Sequence, residues 1–252
     1  MNPRWAARGA AVVATAAVLA GCSDDDSSSP SPPPTDAVIL ETTTTTTEAP
    51  LTGEPLVVVE QGVSSFPDPF DPSSDLGGYG VILENPNPEA MAAGVHVSTR
   101  ILDPTGAELL VDRTLLNAVM PGQRMAVGRT LIEPIEDPTH LEVTVEVTAW
   151  LRPSSPDAAL IVDGVVTEPE ANGGAVTPLP ARPSRPQAEE GVDVTAVYRA
   201  EDGRILAAES ATLASVPPNA DSPGQIRLLS PIPSLAATEV FVGRGIAAQT
   251  AG

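Results

Sequence analysis

The chain has 252 residues, 42% hydrophobic but only 3% aromatic, enough for one sizeable aliphatic core or two small ones. Its 28 prolines and 20 glycines exclude long helices, and its formal charge of −20 excludes nucleic acid and anionic surfaces as partners. All thirteen basic residues are arginine.

The N-terminus reads MNPRWAARGAAVVATAAVLAGC. Arg4 and Arg8 give a basic start, an apolar stretch follows to Ala20, and small residues lead into Cys22, the single cysteine. This is signal-peptide architecture, too short for a membrane-spanning helix. Leu19-Ala20-Gly21-Cys22 resembles the bacterial lipobox at every position. The resemblance implies cleavage between Gly21 and Cys22 and a diacylglycerol and further acyl chain, such as palmitate, on Cys22. At about 0.8 kcal/mol per buried CH₂, two or three acyl chains hold a protein on a membrane. The expected place is the cell membrane, lipid-anchored, on the extracytoplasmic face.

After this leader (1–21), residues 22–54 are rich in Ser, Pro, Thr and Asp. They offer nothing to bury, which predicts a disordered linker. Its threonine run is a polar spacer, with O-glycosylation as the alternative use.

The rest of the chain repeats itself. GVHVSTRILDPTG, from Gly94, returns ninety-seven residues later as GVDVTAVYRAEDG, from Gly191. Without a gap, 94–147 and 191–244 share fourteen of fifty-four positions, among them Gly94/Gly191, Gly106/Gly203, Leu116/Leu213 and Pro121/Pro218. The shared residues are mostly Gly, Pro, Val, Leu and Ile, which set turns and fill cores, so the repeated phrase reads as scaffold. Two units follow, 55–152 and 158–247.

In the first unit, strands are predicted at 56–60, 79–84, 95–102, 108–115, 124–132 and 141–150, with DPTG as a hairpin turn and AEDG its counterpart in the second unit. LEVTVEVTAW alternates plainly, Val143, Val145 and Val147 on one face and Glu142, Thr144 and Glu146 on the other. DPFDPSSDLGG reads as a loop. The fold class is all-β: two tandem immunoglobulin-like β-sandwiches after a signal peptide and a linker.

Both copies resemble the FxLYD-type domain of bacterial lipoproteins, through GVILENPNP, VHVSTRILDPTG and AVMPG in the first and VDVTAVYRAEDG in the second. "ILD" and "VYR" stand where that family has "LYD". The resemblance implies an extracytoplasmic, non-enzymatic accessory module and supplies no functional residues.

Candidate chemistry is sparse. A catalytic serine needs a positioned base, and the only histidines are His96, flanked by core valines and facing outward, and His140 at a strand start. The expectation is no enzyme and no cofactor. Asp68, Asp71 and Asp75 crowd one loop and are the candidate calcium ligands. His96, His140, Met120 and Met125 are the candidate soft-metal set. The same loop carries Phe66 and Phe70, a candidate partner contact, with cover of the core edge as the alternative use of the rings. The sequence therefore points to a membrane-anchored, non-catalytic binding or structural module of the cell envelope, its partner a cell-wall component or envelope protein. The alternative is an envelope carrier of metal (calcium or copper) or a small ligand.

Overall fold

The computed structural model describes residues 51–243 apart from 69–70, 72, 136, 154–159, 163–164, 171–173, 184–188, 217–221, 229–231 and 233. The signal segment, Cys22 and nearly all of the linker lie outside the described residues.

The first six strands are β1 (Val57–Pro67), β2 (Asp75–Glu84), β3 (Met91–Leu102), β4 (Glu108–Val119), β5 (Arg124–Pro134) and β6 (His140–Leu151). All six expected strands are present and longer than the alternation alone marked. One boundary is corrected. Asp75–Gly78, read as loop, opens β2 and pairs with the end of β1, Asp75 opposite Pro67 and Gly78 opposite Ser64.

These strands form two antiparallel sheets, β1-β2-β5 and β4-β3-β6. Tyr79, Val81 and Leu83 of β2, with Met125 and Val127 of β5, meet Val95, Val97 and Ile101 of β3 and Leu116 of β4 in one buried core. The period of two along β2 sends Gly78, Gly80 and Ile82 to its other face.

Seven further strands follow: β7 (Leu160–Val162), β8 (Glu168–Pro169), β9 (Ala175–Pro183), β10 (Glu189–Arg199), β11 (Ile205–Val216), β12 (Ser222–Leu228) and β13 (Ala237–Val242). They form β12-β9-β7, with β8 also on β9, and β11-β10-β13. The core between those sheets holds Leu179, Val192, Val194, Ala196, Tyr198, Ile226 and Leu228. With β7 and β8 together in the place of β1, both units have the same connectivity. Strands one, two and five make one sheet and strands four, three and six the other, the order of an immunoglobulin-type sandwich.

The backbone explains the repeat. Gly94 and Gly191 lie inside their strands at φ +61° and +62°, and Gly106 and Gly203 close their turns at +83° and +86°. Residues with a Cβ rarely adopt these conformations. In the first turn the Asp103 and Gly106 amides donate to Ala107 and Asp103 carbonyls. In the second the Ala200 and Gly203 amides donate to Arg204 and Ala200 carbonyls, the same pattern ninety-seven residues on.

The two sandwiches pack on each other through sheet faces. Ile82 and Ala126 of the β1-β2-β5 sheet share a buried cluster with Val197, Ile205, Ala208 and Phe241 of the β11-β10-β13 sheet. Glycine makes the approach possible. A Cβ on Gly78 would lie 2.6 Å from the Ala207 Cβ, and one on Gly80 2.9 Å from the Ile205 Cγ2. Both are closer than carbon atoms pack. The result is four sheet layers in the order β4-β3-β6, β1-β2-β5, β11-β10-β13, β12-β9-β7. Strand β2 is consequently buried on both faces from Leu76 to Leu83.

Candidate functional site

Asp71 is committed to its own turn. Its Oδ1 accepts from the Ser73 amide at 3.0 Å and the Ser73 hydroxyl at 2.6 Å, while its carbonyl accepts from the Ser74 amide at 3.0 Å. The Ser73 hydroxyl, then the Ser73 amide, hold its carboxyl below the usual carboxylate range. Asp68 and Asp75 flank this turn through their backbones: the Asp68 amide donates to Ser74 and the Asp75 carbonyl accepts from Ile135. The arrangement is that of an Asx turn. Among the described residues no group of three or more His, Cys, Asp or Glu side chains is placed to hold a metal ion.

The soft-metal candidates are dispersed. His96 is exposed in the middle of β3, and His140 pairs with Leu102 six residues further along that strand. That separation is about 20 Å at 3.3 Å per residue. Met125 is buried between the first two sheets, and Met120 sits half-buried at the start of the turn into β5.

Phe66, a candidate partner contact, turns inward. Only 6% of it is exposed, and with Leu76 it joins the core of the second sandwich. Its position opposite Leu76 in the β1–β2 register turns both side chains toward the second unit. The ring seals this molecule's own interface and is closed to an outside partner. Phe70, Gly21 and Cys22 lie outside the described residues.

The docked interface carries its own polar set. The Ser64 hydroxyl donates to the Leu206 carbonyl at 2.6 Å. Arg199 of β10 forms an ion pair across the interface with Glu60 of β1 and a second, at 2.7 Å, with Glu239 of β13. The Arg199 hydrogen bond holds the Glu60 carboxyl below its ordinary value, opposing the effect of burial. The Thr130 hydroxyl donates to Glu209 at 2.8 Å, and the Gln123 amide to the Val242 carbonyl at 2.8 Å.

Sequence reading missed two further polar clusters. The Tyr79 hydroxyl donates to Asp112 of the opposite sheet, and Arg129 lies 3.3 Å from the same carboxylate. Burial, then the Asp112 contact, push the Tyr79 hydroxyl far above its usual range. Asn85, fully buried, donates to the Ala90 and Val119 carbonyls at 2.8 and 3.0 Å. Its Oδ1 accepts from the Asn87 amide and side chain. Asn85 is the first asparagine of the GVILENPNP stretch, and its work is to tie the loop after β2 to the end of β4 at one end of the first sandwich. An asparagine in a buried strand end was the available signal, since a buried amide demands partners.

The outer face of β4-β3-β6 is open. Register places Arg113, Ser98 and Thr144 in one row across it and Leu115, His96 and Glu146 in the next. These side chains line a groove of about 470 Å³. Beside it, Arg100 bridges Glu108 at 2.9 Å and Glu142 at 2.5 Å.

No family model matches this chain, and no curated protein is detectably similar to it. No helix among the described residues is long and apolar enough to cross a membrane.

Proposed function

We propose that the protein is an outward-facing lipoprotein whose two sandwiches act as a non-catalytic binding or structural module of the cell envelope. Cys22, the single cysteine, in Leu19-Ala20-Gly21-Cys22 behind a basic and apolar leader, is the observation that carries this reading. An unpaired thiol outside the cytoplasm is a liability unless modified, and acylation removes it. The accessory role draws support from what the copies share: residues such as Gly106/Gly203 shape backbone, while the polar clusters at Asn85 and Tyr79–Asp112 tie strands together. The FxLYD-like stretches lend the same direction. The carrier alternative has no observation of its own in its favour, since Asp71 is spent within its turn and the soft ligands are spread apart.

Expression of the full chain with radiolabelled palmitate tests the reading. The expected result is label in the protein and its recovery with membranes, with both lost on Cys22→Ala. Label absent from the intact chain, or membrane recovery indifferent to Cys22→Ala, would reject lipid anchoring.

A further inference from the structure

The second sandwich shows how this module binds protein. The hairpin half of its β11-β10-β13 sheet is pressed against β1-β2-β5, with Val197, Ile205, Ala208 and Phe241 buried. The corresponding sheet of the first sandwich, β4-β3-β6, faces outward. Its hairpin half is closed to this use by charge. Arg100 stands where the second copy has Val197, Glu108 where it has Ile205 and Thr144 where it has Phe241. Arg100, Glu108 and Glu142 satisfy one another there.

The remainder of that face is different. Val111 is 41% exposed and Leu115 56%, and they bracket Arg113 on the same side of β4. The Arg113 guanidinium has no hydrogen-bond or ion-pair partner among the described residues. Arg100, Arg129, Arg199, Arg204 and Arg227 each have a carboxylate within 4 Å. In a chain with 33 acidic residues, an arginine left unpaired between two exposed aliphatic side chains is a surface prepared for a carboxylate from elsewhere. Arginine with flanking apolar area is the composition of a protein-binding hot spot.

A second copy of this chain does not supply the match in the geometry used internally. The glycines that admit Ala208 are Gly80 and Gly128, and the corresponding positions of the second sandwich hold Pro178 and Gln225. These would meet Val111 rather than alanine. An anionic wall polymer would satisfy Arg113 but gains nothing from Val111 and Leu115. We infer that the β4 side of this outer face docks another envelope protein that presents an Asp or Glu side chain flanked by apolar surface, the carboxylate pairing with Arg113. This rests on the outward-facing reading above.

The test places a photo-crosslinking amino acid at position 115 of the full chain in its native envelope, with position 166, where Val166 is 64% exposed, as the control. Membrane recovery is scored first, so that failure of anchoring is seen separately from failure of docking. The expected result is a discrete protein adduct at 115 and none at 166. Arg113→Glu should lower it at least about tenfold, and reversing the partner's cross-linked acidic residue to Arg should restore it. A membrane-bound chain giving no adduct at 115, an adduct indifferent to Arg113→Glu, or a protease-resistant polymer smear would each overturn the proposal.

Discussion

The same sheet occurs twice in this molecule with opposite fates. In β11-β10-β13 the outer hairpin half is buried, whereas in β4-β3-β6 it faces solvent, although the strands, the turn and the positive-φ glycines correspond one for one. Three exchanges account for the difference: Val197 for Arg100, Ile205 for Glu108 and Phe241 for Thr144. The scaffold tolerates either face. What decides association is whether these positions bury apolar area or, as at Arg100 and Glu108, hold solvated charges. The receiving sheet is specialised too, since Gly62, Gly78, Gly80 and Gly128 leave room for the incoming strand.

The largest expected effect comes from filling that room. Gly78→Val places its branches against Ala207 and the Leu206 carbonyl, which belong to backbone-proximal groups that cannot move aside. We expect a loss of about 3 kcal/mol and separation of one unfolding transition into two, read by denaturant titration with a probe in each sandwich.

A smaller effect distinguishes the two cores. Register puts Thr177 of β9 opposite Ile226 and Tyr79 of β2 opposite Arg129, equivalent places in the two units. The second core instead brings Tyr198 from β10, its hydroxyl 3.1 Å from Thr177. Burial pushes the Tyr198 hydroxyl up to about 12. A group whose folded value lies above its unfolded value of 10 contributes stability in full below pH 10 and loses it as the pH climbs toward 12. Tyr198→Phe should cost about 1 kcal/mol at neutral pH and flatten part of the alkaline decline, the remainder belonging to Tyr79.

The smallest expected effect is acidic. Glu60 is held below its ordinary value of 4.5 by Arg199, so its contribution is present above that value and lost as pH falls through the folded one. The pair is partly solvated, and Glu60→Gln should cost no more than about 1 kcal/mol at pH 7. Stability curves of the two proteins should approach each other below pH 4.5, and curves that stay parallel would remove Glu60 from the interface account.

Strand positions were legible because a half-buried strand writes its burial into alternation, as 141–150 does. The repeat was legible because Gly94, Gly106 and their counterparts are required by backbone geometry. The beginning of β2 was misread because Leu76-Gly77-Gly78 has neither alternation nor β-branching, Gly77 lying against Leu131 and Ile135 of its own core and Gly78 against Ala207 of the neighbouring sheet. Glycine inside a strand does mark close backbone approach, but sequence does not say what approaches. Phe66 escaped for the same reason: the residues that bury it lie more than a hundred positions away, in the second sandwich. The groove beside Arg113 left no sequence signature at all, since its members come from three strands that only the register assembles.

Exchanging the residues that distinguish the two faces tests the central claim most directly. Val197→Arg gives the docked sheet the residue of the free one, and Arg100→Val does the reverse at the equivalent position. The account predicts that Val197→Arg costs about 3 kcal/mol or more and uncouples the sandwiches, because an unpaired charge would be buried between sheets. Arg100→Val should leave the unfolding midpoint where it is. Equal effects from the two substitutions, or a Val197→Arg protein that still unfolds in one unshifted transition, would contradict the docked arrangement.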